Sequence, residues 1–188
     1  MNKMGRIEET WEKYCKLMSK ITPEPPLSNK EGRVVRLGKD WVALDITVFP
    51  YRFEKALREL AGEDTAADCM YRVGEEYGSE VINRYNKKVN DMELALKLTV
   101  ASSNYFGWSV TDIEELGPQG AKAVFYNSYE SRSYFANNKE KSIEPVCHFM
   151  AGVIAGIYAV YIGKPCECKE TKCVAKGDEY CEFVATVI

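Results

Sequence analysis

The sequence predicts an α+β fold in which an antiparallel sheet packs against helices. Three observations predict it. Stretches with strand character come in adjacent pairs separated by short turn sequences, an arrangement that pairs neighbouring strands antiparallel. Stretches with helical apolar spacing lie between those pairs. One stretch, Pro145 to Gly163, carries no charged residue, as expected of a helix buried on most of its surface. The expected order is β-β-α-α-α-β-β-α-β-β.

Taken in order, residues 6–21 read as an amphipathic helix. Ile7, Trp11, Tyr14, Met18 and Ile21 place one apolar seam along it. The seam fits a helix docked on its own domain and a dimer contact equally well. "TPEPPLSNKEG" then breaks the pattern as a linker. Residues 1–30 thus form an N-terminal helix and linker, with a dimer element as one reading. "RVVRLGKDWVALDITVFP" reads as two short strands around a Gly-Lys-Asp turn. "YRFEKALRELAG" is a short helix stopped at Gly62. Asp64 or Thr65 caps a long helix through Asn86, with Ala66, Met70, Val73, Tyr77, Val81 and Tyr85 as its stripe. Asp91 caps a third helix, through about Asn104, with Leu94, Leu98 and Ala101 on one side.

The period then falls to two. "WSVTDIEEL" and "AKAVFYNSYE" read as strands joined by the turn Gly117-Pro118-Gln119-Gly120. Ala121, Ala123, Phe125 and Asn127 fall on one face of the second strand, and Val124, Tyr126 and Ser128 on the other. "SRSYFANNKEKS" reads as a polar crossing. Pro145 suits a first helical turn, so the buried helix is placed at 145–163. A C-terminal β-hairpin closes the chain, with strands over Cys166–Ala175 and Tyr180–Ile188.

Bulk properties exclude several functions. The chain has 188 residues, a net charge of −3 and a pI near 5.4. It has no basic run, so nucleic acid is not a direct partner. The start shows no apolar core before a small-residue cleavage site. With seven cysteines, an odd number, the reading is reduced thiols and a cytoplasmic location. The uncharged run is near membrane-spanning length. It contains Gly152, Gly156 and His148, however, and a polar strand follows it at once, so it reads as a core helix and not a membrane span.

The chemistry concentrates in "EPVCHFMAGVIAGIYAVYIGKPCECKETKCVAKGDEYCEF". A hairpin turning at 176–179 brings Cys173 near Cys181. Glu170 lies three residues before Cys173, and the start of the buried helix carries Cys147 over the hairpin. Three thiolates and a carboxylate would fill a tetrahedral zinc shell with no position left for a reactive water, which implies a structural ion. Buried free cysteines are the competing reading. Cys166 with Cys168, and His148, are rival donors, although residues two apart on a strand sit ~7 Å apart. An iron–sulfur centre also stays open.

"EPVCHFMAGVIAGIYAVYIGK", "CKETKCVAKGDEYCEF" and "YFGWSVTDIEEL" resemble the 4-vinyl-reductase domain family over about residues 30–188. That family is similar to the sensor domains of aromatic-responsive activators and, more distantly, to Bet3-like tethering subunits. The resemblance implies residues 31–188 as a ligand-binding domain, a homodimer, and an apolar cavity beside a zinc site. Carried over by position, the zinc set is again Cys147, Glu170, Cys173 and Cys181. Met70, Tyr77, Tyr105, Phe106, Trp108, Tyr126, Phe149 and Tyr158 are the expected ligand-binding residues, with ordinary core packing as the alternative for each.

Phenol-responsive sensors are similar but hold their ligand with a mid-domain histidine. Here His148 is the sole histidine and lies inside the metal motif. No Gly-rich nucleotide loop and no Ser/His/Asp set is present, so no catalytic residue is assigned. The expectation is a cytosolic zinc-stabilised domain that binds or senses a small hydrophobic or aromatic molecule, acting through a downstream protein. A reductase acting on a vinyl-bearing tetrapyrrole and a tethering or scaffold subunit are the alternatives.

Overall fold

The computed structural model describes Glu12, residues 33–36 and residues 39–188. The seam expected at 6–21 lies outside the described residues except Glu12, which is helical. The linker at 22–32 lies outside them as well. The chain divides into two units, residues 1–44 and 45–188. In the first, β1 (Val34–Arg36) pairs antiparallel with β2 (Lys39–Trp41). Lys39 and Asp40, expected in a turn, are strand residues opposite Arg36 and Val35.

The second unit is α+β, with five helices and a four-stranded antiparallel sheet. The helices are α1 (Tyr51–Ala61), α2 (Glu63–Val89), α3 (Met92–Tyr105), α4 (Tyr129–Asn137) and α5 (His148–Ile162). The strands β3 (Val110–Leu116), β4 (Gly120–Tyr126), β5 (Cys166–Lys172) and β6 (Cys181–Val187) lie in the order β3-β4-β6-β5. The C-terminal hairpin β5–β6 is present, with a register shift between Glu170 and Lys172. Among the described residues no helix is long and apolar enough to cross a membrane.

α5 packs on α2 and on the sheet. Its buried Met150, Ala151 and Ala155 share one core with Met70 of α2 and with Phe125, Phe183 and Ala185 of the sheet. Gly74 and Gly78 of α2 meet Gly152 and Gly156 of α5. A Cβ at any of the four would run into a backbone carbonyl of the other helix, so these helices approach at a distance only glycine permits. A smaller core joins α2 to α3 through Val81, Ile82, Tyr85, Ala95 and Leu96.

Several expectations are corrected. The segment read as a polar crossing contains α4, which buries Glu130, Ser131 and Ser133 instead of apolar side chains. α5 begins at His148, not Pro145, because Cys147 at its N-cap has φ −95° and ψ 53°. α2 begins at Glu63 after Gly62, one residue before the earlier of the two expected caps. Within it Val73 is exposed, because the contact face runs through the glycines. α3 keeps its Asp91 cap, which accepts from Leu94 N at 3.0 Å. It buries Ala95, Leu96 and Thr99, one position round from the face expected through Leu94, Leu98 and Ala101. In β3, Val110 and Leu116 are exposed while Thr111 is buried. β5 ends at Lys172, and a 3₁₀ turn, Val174–Lys176, follows it.

Candidate functional site

Three elements converge at the start of α5. Cys147 is its N-cap residue, and its backbone N–H donates to Glu170 Oε2 at 2.9 Å. Glu170 reaches it from β5, where the register shift locally breaks the pairing with β6. Cys173 follows β5 directly, and its N–H donates to Asp178 Oδ2 at 2.8 Å, which fixes the connecting turn. Cys181 opens β6 and accepts from Val174 N at 3.4 Å. One ligand atom from each of Cys147, Glu170, Cys173 and Cys181 lies within 4.8 Å of all the others, close enough to bind a single metal ion.

The donors have no adequate partners without a cation. All three cysteines are free and fully buried. Glu170 Oε1 is buried and makes no hydrogen bond, which is costly for an anionic oxygen. Burial pushes the Glu170 carboxyl up to about 8, aided by the neighbouring Cys173 and opposed by the Cys147 amide. Burial also pushes the Cys147 thiol well up. Cys173 is held far below the usual thiol range by hydrogen bonds from Cys147 and Cys181. The metal-free cluster therefore has acidic groups at van der Waals distance that cannot all ionise together. A dication would reverse that for all four and give Glu170 Oε1 a partner. The residues fit a metal.

The rival donors are engaged elsewhere. Cys166 Sγ donates to Lys164 O at 3.3 Å. Cys168 N donates to the Tyr71 hydroxyl at 2.9 Å. His148 Nδ1 lies 3.0 Å from Glu54 Oε1, and that carboxylate also accepts from Arg58 at 2.9 Å.

Sequence reasoning missed the support from α4. Glu130, fully buried, accepts from Phe149 N at 3.1 Å and Met150 N at 3.0 Å, filling the first turn of α5 where a side-chain cap is absent. Ser131 Oγ touches the cysteine sulfurs. The available signal was Ser128 and Ser131 three apart, one helical turn, just ahead of the cysteine motif.

Beside the metal cluster, two apolar cavities of about 40 Å³ each lie between α3, the sheet and α5. Tyr77, Phe106, Trp108, Met150 and Ile154 line the first, and Leu96, Ile113, Tyr158 and Tyr161 the second. Val100, Thr111, Ile154 and Ile157 border both, so movement of a few side chains would join them. The walls carry no charged residue. Of the expected ligand-binding residues, Tyr77, Phe106, Trp108 and Tyr158 line these cavities. Trp108 stacks on Tyr77 at 5.3 Å and lies 5.9 Å from Phe149. Met70 and Phe149 are buried in the adjoining core. Tyr105 and Tyr126 are exposed and line neither cavity. Thr99, Ser103 and Thr111 add hydroxyls to the first cavity that the sequence pattern does not single out.

Residues 130–187 match the family of the vinyl-4-reductase, or V-4-R, domain. The chain is 26% identical over 118 residues to uncharacterized protein MJ0150 of Methanocaldococcus jannaschii, covering 63% of each. It is 47% identical over 45 residues to MJ0745 of the same organism, covering 24% of this chain and 25% of that protein. The chain thus spans less than two thirds of the length of either curated relative. Three solved structures share the fold. The phenol-responsive sensory domain of the transcription activator PoxR, solved with phenol, has a TM-score of 0.74 at 15% identity, covering 100% of this chain and 91% of that one. A vinyl-4-reductase family protein from M. jannaschii has a TM-score of 0.50 at 18% identity over 79% and 84%. A trafficking protein particle complex subunit 3 from Naegleria fowleri, covalently bound to palmitic acid, has a TM-score of 0.51 at 14% identity over 76% and 95%.

Proposed function

We propose that the chain is a zinc-stabilised domain that binds or senses a small hydrophobic or aromatic molecule and does not transform it. The observation that carries this reading is the donor set: Cys147, Glu170, Cys173 and Cys181 within 4.8 Å, next to apolar cavities without a charged wall. Three thiolates select a soft or borderline cation, and four protein donors complete a tetrahedral zinc shell. Zinc so held ties a helix start to a hairpin and offers no open position to a substrate. The similarity to a sensory domain solved with phenol and to a subunit carrying palmitate supports an apolar ligand. The cavities are small for a drug-sized molecule, so binding requires them to join. Thiolate ligands further place the chain in a reducing compartment.

Native mass spectrometry of the chain as purified tests this reading, since it reports metal, retained ligand and oligomeric state together. One zinc per chain, a homodimer, and no flavin or iron–sulfur mass are expected. Cys173→Ser removes the metal. A stoichiometric iron–sulfur cluster, or turnover of a vinyl tetrapyrrole with a reductant, would replace this reading with the reductase.

A further inference from the structure

We propose that Ser131 of α4 is the outer hydrogen-bond donor of the metal centre and sets how tightly the metal is held. This inference rests on the metal reading above. Ser131 is 1% exposed. Its Oγ lies 3.4 Å from Cys147 Sγ, 3.9 Å from Cys173 Sγ and 3.3 Å from Cys181 Sγ. It thus stands over the triangle formed by the three sulfurs. Its hydrogen-bond partners are all sulfur. A buried hydroxyl with only neutral thiols to bond is poorly satisfied. With thiolates it becomes a charge-assisted donor.

The charge balance shows why the centre needs such a donor. Three thiolates and one carboxylate on a dication leave a net negative centre in a buried site. Hydrogen bonds to sulfur offset that excess without occupying a coordination position. The Val174 amide supplies one, to Cys181 at 3.4 Å. Ser128, 0% exposed, reaches Cys147 alone at 3.5 Å. Ser131 reaches all three sulfurs, so its removal takes away a donor that no other residue of the centre replaces. Ser131 is a positioning residue, and outer-shell partners of this kind change metal affinity ~10–100-fold.

The test is Co²⁺ and Zn²⁺ titration of the full chain against a competing chelator, read at the sulfur-to-cobalt charge-transfer band. Ser131→Ala is expected to weaken metal binding about 10–100-fold and to shift that band, because a lost hydrogen bond raises sulfur electron density. Ser128→Ala, which loses contact with one sulfur, is expected to cause a smaller loss and keeps the proposal testable if Ser131→Ala does not fold. Unchanged affinity and band energy in Ser131→Ala would overturn the proposal. So would equal losses in both variants, since these would reflect packing alone. A wild-type chain that takes up neither ion would overturn the metal reading itself, an outcome visible before any variant is made.

Discussion

At the residue scale, the two kinds of polar group at this site differ in how they can be read. Cys147, Glu170, Cys173 and Cys181 stand out in the sequence because few structures need three cysteines and a carboxylate around a Gly-containing turn. Glu130 does not stand out, because its partners are backbone amides at Phe149 and Met150, and no side-chain pattern records a backbone partner. Glu130 nevertheless has a measurable signature. Burial is the largest influence on its carboxyl and pushes it well above the usual range, although the Met150 amide draws it back. A group whose folded pKa is raised contributes stability that is full below the unfolded pKa and lost as pH rises through the folded pKa. Glu130→Gln keeps one acceptor, leaves one amide unpaired, and does not titrate. It should cost about 1–3 kcal/mol at pH 5. That cost should shrink as pH rises, by at most ~1.4 kcal/mol per unit. Urea unfolding of both proteins from pH 5 to 9 checks the sign, and a cost that grows with pH would show that Glu130 is ionised in the fold.

At the element scale, α5 was readable and α4 was not, for one physical reason. α5 buries apolar and small residues on nearly every side, so an uncharged run announces it. α4 buries Glu130, Ser131 and Ser133. Ser133 accepts from Tyr51 N at 3.2 Å and donates to the Ile46 carbonyl. A helix held by hydrogen bonds has no apolar stripe to read. The face of α3 was displaced for a related reason: burying Thr99 costs little when its hydroxyl bonds the Ala95 carbonyl at 2.8 Å. The glycines of α2 and α5 carry the strongest element-scale prediction. A Cβ at Gly152 would press on the Tyr71 carbonyl and on Glu75 N, which are backbone atoms that cannot rotate away. Gly152→Ala should destabilise by about 3 kcal/mol or more, beyond the usual overpacking cost. At Gly163, φ is +70° and nothing lies within 4 Å of the added methyl. Gly163→Ala should cost only ~1 kcal/mol, from left-handed backbone strain. Chemical denaturation of the two variants checks the order; equal costs would mean that the helices separate easily.

At the scale of the whole molecule, the second unit has two sources of cohesion with different dependencies. The α2–α3 core around Ile82 and Leu96 and the glycine contact between α2 and α5 need no ion. The junction of α4, the start of α5 and the β5–β6 turn is held by buried thiols, a carboxylate and two serines, and its stability is tied to metal binding. Chelation should therefore not unfold the chain as it does a zinc finger. It should loosen that junction first, and Tyr129 carries the change onward. Its amide donates to Trp108 O at 2.7 Å, and its ring lies 5.5 Å from the Trp108 ring, which lines the first cavity. Removing the metal should lower stability by about 3 kcal/mol, so that Tm falls by roughly 6–12 °C for a domain of this size. Amide exchange should rise at 128–131, 145–150 and 173–181 while α2 stays protected. The cavity wall at Trp108 should become more exposed at the same time, read as increased acrylamide quenching in a chain whose other tryptophans are replaced by phenylalanine. Metal loss with unchanged exchange at 128–131 would uncouple the metal from the ligand cavity and leave the ion a local clasp on the hairpin.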